Sequence, residues 1–278
     1  IFDDIKIHDN QFKIKPILYL ISKISNNHHR EPEFFNKIEK ILQLFKDDMK
    51  KYFSNNELFH IFKSNKRLLL FLLEEKMMIF DEFIIKRIVN NKKYIKSKYP
   101  QYFQPEIQPF INEKWFPKYN KDDLILRNNK WVEDLKKELP DDFYEKRKIG
   151  ENDDEICKLI QKDLIEEFII YVNKNCYPVN STINSSIYET NNFLLKQFKI
   201  TLIEYAAFFG STQIFNYLRQ NGAELKPSLW LHAVHGKDPE IISFLEEKKK
   251  KDENDDDEIP FEQIFKESIK CHHLDVAN

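Results

Sequence analysis

Apolar residues recur along most of this chain at steps of three and four, the spacing that gathers side chains on one face of an α-helix. Across residues 31–53 they fall at Phe34, Phe35, Ile38, Ile41, Leu42, Leu44, Phe45, Met49, Tyr52 and Phe53. Lys37, Glu39, Lys40, Lys46, Asp47 and Lys50 lie largely on the other side, so the pattern predicts one long amphipathic helix. Ser54-Asn55-Asn56-Glu57 then has the form of a capping box, in which the Ser hydroxyl accepts from a free helix amide and the Glu reaches back to the cap. A helix over about 57–63, a turn at Asn65 and a helix over 67–76 make one helix–turn–helix unit. Further helices are expected over 79–89, 131–139, 142–148, 155–161 and 164–173.

Two kinds of segment depart from this pattern. Pro100, Pro105, Pro109 and Pro117 interrupt any long helix in 99–119, yet Tyr102, Phe103, Phe110, Trp115 and Phe116 make it too aromatic for a linker. It reads as an ordered, irregular packing segment. Residues 177–192 are polar and expected to form a long loop; 248–258 are a block of lysines followed by a block of acids, a second loop expected to be solvated.

Repetition is clearest near the C-terminal end. Thr201-Leu202-Ile203-Glu204-Tyr205-Ala206-Ala207-Phe208-Phe209-Gly210 aligns with the ankyrin opening T-P-L-H-x-A-A-x-x-G. Thr201 can cap the first helix with Glu204 completing the box, and the small Ala206 and Ala207 let paired helices approach. Gly210 and Gly222 can take positive φ at helix ends. Ile214, Phe215, Tyr217 and Leu218 form the second helix's apolar stripe, and Asn221-Gly222-Ala223 closes the unit. A second unit places Ala233 opposite Ala206, with Asp238-Pro239-Glu240 starting its second helix. A third places Ser268 opposite Ala233; its second helix begins near Leu274, so a truncated last repeat is expected at Asn278. Residues 159–172 and 61–73 keep the helix pair but lose the Ala pair and the Gly.

With these residues in view, the chain resembles the divergent ankyrin-repeat proteins of parasitic protists such as trichomonads, in which a helical, ankyrin-like N-terminal region precedes a tandem array. The resemblance is carried by Phe62-Lys63-Ser64-Asn65-Lys66-Arg67, Phe110-Ile111-Asn112-Glu113-Lys114, residues 145–153, residues 201–210 and Cys271-His272-His273. It implies an all-α fold, an α-solenoid of ankyrin-type helix–turn–helix repeats over 151–278, and a divergent helical region over 1–150. It also implies protein binding through a concave face and its loops, and supplies no catalytic residue. Glu204 and Leu231 stand where the general ankyrin pattern has His. The contact residues expected on that face are Ile200, Phe208 and Phe209 from one repeat and Pro227 and His235 from the next.

Composition narrows the alternatives. Only 4 glycines are present, too few for a hairpin-rich sheet protein. A net charge of −2 gives no overall attraction to nucleic acid or anionic membrane, and the longest apolar run, 68–73, is far too short to span a bilayer. Cys157, Cys176 and Cys271 are odd in number and widely spaced, which fits a reducing, intracellular and cytoplasmic location.

Candidate chemistry is sparse. Cys271-His272-His273 invites a metal reading, but adjacent histidines on a helix point apart and no matching Cys or His group accompanies them. His232 and His235 share a helix face and could join Asp238 or Glu240, but there is no HExxH and no third strong ligand in that unit. The acids at 252–258 lack the central Gly of an EF-hand. Lys92, Lys93, Tyr94, Lys96, Lys98 and Tyr99 interleave basic and aromatic residues, as some nucleic-acid surfaces do. No phosphate loop, nucleophile elbow or dinucleotide fingerprint is present. The expectation is therefore a non-enzymatic scaffold for an unidentified protein partner, with no catalytic residue, metal ligand, cofactor or membrane contact. The alternatives are nucleic-acid binding through 92–99, and an enzyme whose site is not recognisable from motifs, in 99–131 or elsewhere.

Overall fold

The computed structural model describes residues 11–27, 32–110, 134–197, 199–251, 261–271, 273 and 276. Among them all regular structure is helical; one isolated antiparallel bridge joins Thr182 and Thr201. No helix among the described residues is long and apolar enough to cross a membrane. The described residues fall into two units, one reaching Glu151 and adding Ser186–Lys196, the other comprising Asn152–Ser185 and the chain from Gln197.

The first unit contains α1 (Gln11–Asn27), α2 (Pro32–Leu44), α3 (Lys46–Tyr52), α4 (Asn55–Phe62), α5 (Lys66–Glu74), α6 (Glu82–Val89), α7 (Lys92–Lys96), α8 (Tyr99–Tyr102), α9 (Gln104–Ile107) and α10 (Phe143–Ile149). Two short 3-10 turns, Gln108–Phe110 and Leu194–Lys196, complete it. The long helix expected over 31–53 is broken at Phe45, where the turn tightens and the Phe45 amide donates to the Leu42 carbonyl. The break lets both Phe45 and Met49 sink fully into the core. Burying two large apolar side chains outweighs one distorted helical link. The Ser54 capping box forms, with the Glu57 amide 3.3 Å from Ser54 Oγ and the Ser54 amide 3.0 Å from Glu57 Oε2. Asn65 caps α5 in the same way, accepting from the Leu68 amide.

Two of the prolines expected to interrupt helices instead start them. Pro100 and Pro105 sit in the first turns of α8 and α9, where the missing amide would have had no partner. Tyr102 and Phe103 beside them are fully buried. Residues 111–133, with Trp115, Phe116 and Trp131, lie outside the described residues.

The polar stretch 177–192, expected as a long loop, is irregular, and much of its second half is buried. Ser186, Glu189, Thr190 and Asn191 are all buried; the stretch belongs to the first unit from Ser186 onward and to the second before it. Lys66, at the start of α5 and fully buried, donates to the Glu189 carbonyl at 2.9 Å. Thr190 donates to the carbonyl of Gly150.

The second unit contains α11 (Glu155–Gln161), α12 (Ile165–Lys174), α13 (Leu202–Phe209), α14 (Thr212–Gln220), α15 (Leu229–Gly236), α16 (Pro239–Lys251) and α17 (Phe261–Lys270). Three helix pairs turn through a left-handed residue: Asp163 (φ 51°), Gly210 (φ 65°) and Lys237 (φ 55°). The turns are tied to one another. The Asp163 carboxylate accepts from the Gln213 and Ile214 amides, and the Asp238 carboxylate accepts from the Thr212 hydroxyl and the Ile241 amide. Each carboxylate therefore satisfies free amides at a helix start, where its charge also complements the helix dipole. Ala206, Ala233 and Ser268, aligned with one another in the sequence, are all buried. The lysine block expected to begin a loop extends α16 to Lys251, consistent with lysine's helix propensity and its favourable position near a C-terminal helix end. Residues 252–260, 272, 274, 275, 277 and 278 lie outside the described residues, and with them the acidic block and the expected start of a helix near Leu274.

Candidate metal centre

Helix α17 buries one stripe: Ile264, Ser268 and Cys271, at steps of four and three. Glu267 precedes Cys271 by one helical turn, and the Cys271 amide donates to the Glu267 carbonyl at 3.0 Å, so both side chains leave the same face. Val234 of α15 packs with Ile264 and Cys271, with Trp230 and Leu231 alongside. That contact brings the end of α15, and with it His235, onto Glu267 and Cys271.

The three side chains converge. His235 Nε2 stands 3.0 Å from Glu267 Oε1, and Cys271 Sγ lies 3.4 Å from His235 Nδ1 and 3.7 Å from Nε2. One ligand atom from each residue fits within a mutual separation of 4.8 Å. The His235 and Glu267 side chains are 2% and 15% exposed, and Cys271 is fully buried. The Phe208 ring lies against the imidazole, centroids 5.2 Å apart and planes tilted by 33°. Lys270 donates to the other Glu267 oxygen at 2.7 Å, orienting the carboxylate.

Electrostatics differ sharply between the two acids. Burial pushes the Glu267 carboxyl up, but hydrogen bonds from His235 and Lys270, with the charges they bring, outweigh it and hold the group at about 2. Burial, with the Glu267 charge beside it, drives the Cys271 thiol up to about 12 despite Lys237 and Lys270. The cluster by itself thus holds a carboxylate and a neutral thiol.

This arrangement corrects the sequence reading of the same residues. Asp238 and Glu240 are engaged elsewhere, Asp238 with Thr212 and Ile241, and Glu240 with Asn216. His232 directs its Nδ1 at the Ser228 carbonyl, 2.9 Å away. The ligand-type cluster forms at His235 instead, with Glu267 of α17 and Cys271 just beyond it. The expectation that the chain is not an enzyme is overturned by the convergence of His235, Glu267 and Cys271, three ligand-type side chains in one cluster. A signal was present in the sequence. The register that sets Ser268 opposite Ala233 also sets Cys271 opposite Gly236, beside His235.

The residues expected to contact a partner are mostly interior. Phe208 is fully buried, and Ile200, Phe209 and His235 are 7%, 8% and 7% exposed; Pro227 alone of the five is exposed. Phe208 packs against His235 and Phe209, and Phe209 against Tyr205, so the aromatics beside the turn hold helices together. Compared with known proteins, the chain matches no family profile, no curated protein and no solved structure.

Proposed function

We propose that the second unit is a helical-repeat module that holds a divalent transition-metal ion of the zinc class, with His235, Glu267 and Cys271 as ligands. The observation that carries this reading is the meeting of three ligand-type atoms, on two helices, within 4.8 Å. Imidazole, carboxylate and thiolate together form a donor set suited to zinc. In a tetrahedral centre with bonds of about 2.0–2.3 Å, neighbouring ligand atoms stand about 3.3–3.6 Å apart. The Nε2 separations of 3.0 Å from Glu267 and 3.7 Å from Cys271 bracket that range. Phe208 supplies an apolar wall and Lys270 an outer-shell partner, the kind of surroundings that orient metal ligands.

Three protein ligands leave a position open, as in catalytic rather than structural zinc sites. A metal ion there would supply Lewis acidity and activate a bound water. The competing chemistry, Cys271 as a nucleophile with His235 as its base, is disfavoured because a reactive thiol needs access and a lowered pKa. Cys271 has neither, being fully buried with its thiol pushed up to about 12. In this reading the helix pairs stack as ankyrin-type repeats. The recurring left-handed turns at Asp163, Gly210 and Lys237 and the buried small residues Ala206, Ala233 and Ser268 support that architecture.

Titrating the full chain with Co2+ tests the site. One equivalent should bind, with a thiolate-to-cobalt charge-transfer band that Zn2+ abolishes. Cys271→Ser should remove that band and Glu267→Gln should weaken binding, while Cys176→Ser should leave both unchanged. Absence of cobalt binding by the wild-type chain, or an intact band in a folded Cys271→Ser variant, would overturn the reading.

A further inference from the structure

The first unit carries a second feature that the metal centre does not absorb. Asn91 caps α7 by accepting from the Lys93 amide. The helix then turns Tyr94 inward, leaving Lys92, Lys93 and Lys96 exposed. Like charges three and four residues apart on one helix repel, so this short helix gains nothing from them locally. They face a cleft of about 410 Å³. Lys63 and Ser64 reach it from the end of α4, and Asn192, Leu195 and Lys196 from the segment around the 3-10 turn. Tyr94, Tyr99 and Ser97 complete the lining. The Tyr99 hydroxyl donates to the Lys63 carbonyl at 2.6 Å, which fixes one wall to another.

Five lysines from three chain segments therefore meet at one concavity, and among the described residues none that lines it is acidic. Burial, and then Arg87 and Lys93, hold the Lys63 ammonium below its ordinary value. Burial, followed by Lys63, Arg87 and Lys15, does the same to His60. A cleft lined by one sign of charge focuses potential and concentrates a counter-ion of the opposite sign.

We infer that this cleft binds a small ligand carrying two or more phosphate groups. Five lysines lining one confined volume suit a compact polyanion, since each lysine engages phosphate as a point charge. The volume lies within the range of small-molecule pockets. Single-stranded nucleic acid fits less well. Such strands stack bases on exposed aromatic faces, whereas Tyr94 and Tyr99 are only 7% and 4% exposed and pack on one another at 4.9 Å. The basic and aromatic residues interleaved in the sequence thus share one cleft but differ in exposure, the tyrosines buried in its wall and Lys92, Lys93 and Lys96 exposed.

Calorimetric titration of the full chain with inorganic tripolyphosphate at low salt tests the inference. One-to-one binding is expected, weakening as salt is added. The double variant Lys93→Gln/Lys96→Gln, altered only at exposed side chains, should lose at least about tenfold in affinity, the equivalent of 1.4 kcal/mol. Lys37→Gln/Lys40→Gln, with the same change in net charge on exposed positions of α2, should bind as the wild type. No binding of tripolyphosphate would overturn the proposal, as would equal weakening in both variants or wild-type affinity in folded Lys93→Gln/Lys96→Gln. Stronger competition by a single-stranded oligonucleotide, at equal phosphate concentration, would replace it with the nucleic-acid reading.

Discussion

Gly236 lies directly over the carbonyl oxygen of Ala207, so close that a Cβ at residue 236 would stand 2.0 Å from that oxygen and 3.1 Å from the Gly210 amide nitrogen. The ends of α13 and α15 therefore meet backbone to backbone. Neighbouring Ala206, Ala207 and Ala233 are buried, with no bulky side chain among them to hold the helices apart. The contact also fixes the position of His235, the residue before the glycine. Packing of α13 against α15 and geometry of the candidate metal centre thus depend on one approach.

Gly236→Ala should consequently be costly, although alanine favours helices more than glycine does. The obstructing atom is backbone, which cannot rotate away, so α13 and α15 must separate. Overpacking of this kind costs roughly 1–3 kcal/mol. Denaturant unfolding of the purified variant should show the midpoint falling, and cobalt affinity should fall with it. Unchanged unfolding would mean that the two helices do not approach as described.

The two capping boxes should differ in worth because they differ in burial. Thr201 and Glu204 are 4% exposed, with the Glu204 carboxylate accepting from the Thr201 amide, its hydroxyl and the Ser228 hydroxyl. Ser54 and Glu57 form the same motif in a solvated position. Thr201→Ala should cost about 1–2 kcal/mol and Ser54→Ala less, about 0.5–1, since water can replace the lost bond only at the exposed cap. Thermal unfolding of the two variants would compare them, and equal losses would contradict the burial argument.

A buried pair in the first unit should shape the stability–pH profile. Burial lowers Lys66 to about 7, despite Glu189, and raises Glu189 to about 7, despite backbone amides and Lys66. Between about 7 and 10.5 the unfolded chain holds the Lys66 proton and the folded chain does not, so this group's contribution to stability rises with pH. Between 4.5 and about 7 the folded chain holds the Glu189 proton and the unfolded chain does not, so that contribution falls with pH. The pair contributes least near neutrality. Glu189→Gln should flatten the acid side of the profile and Lys66→Met the alkaline side, measured as unfolding free energy across pH. A profile that neither substitution alters would show that these groups titrate normally.

Local chemistry was legible residue by residue. The Ser54 and Thr201 boxes, the turn at Gly210 and the helices beginning at Glu155 and near Thr212 follow from spacings of three and four and from capping residues, all of which act within one or two turns. The break at Phe45 was not legible, because it is dictated by where the core lies. Nor was the burial of residues 186–191, polar in sequence but hydrogen-bonded into the first unit through Lys66 and Gly150.

The candidate sites divide in the same way. Sequence alone determined that the chain is helical, that Ala206 and Ala233 are small where helices pair, and that Lys92, Lys93 and Lys96 share a short basic segment. These are matters of near-neighbour spacing, which the chain itself carries. Only the tertiary structure decided that His235 meets Glu267 and Cys271, that Phe208 is buried against His235, and that Lys63 and Lys196 join the lysines of α7. Those meetings arise where separate helices pack, and the burial that drives the packing selects which faces touch without regard to distance along the chain.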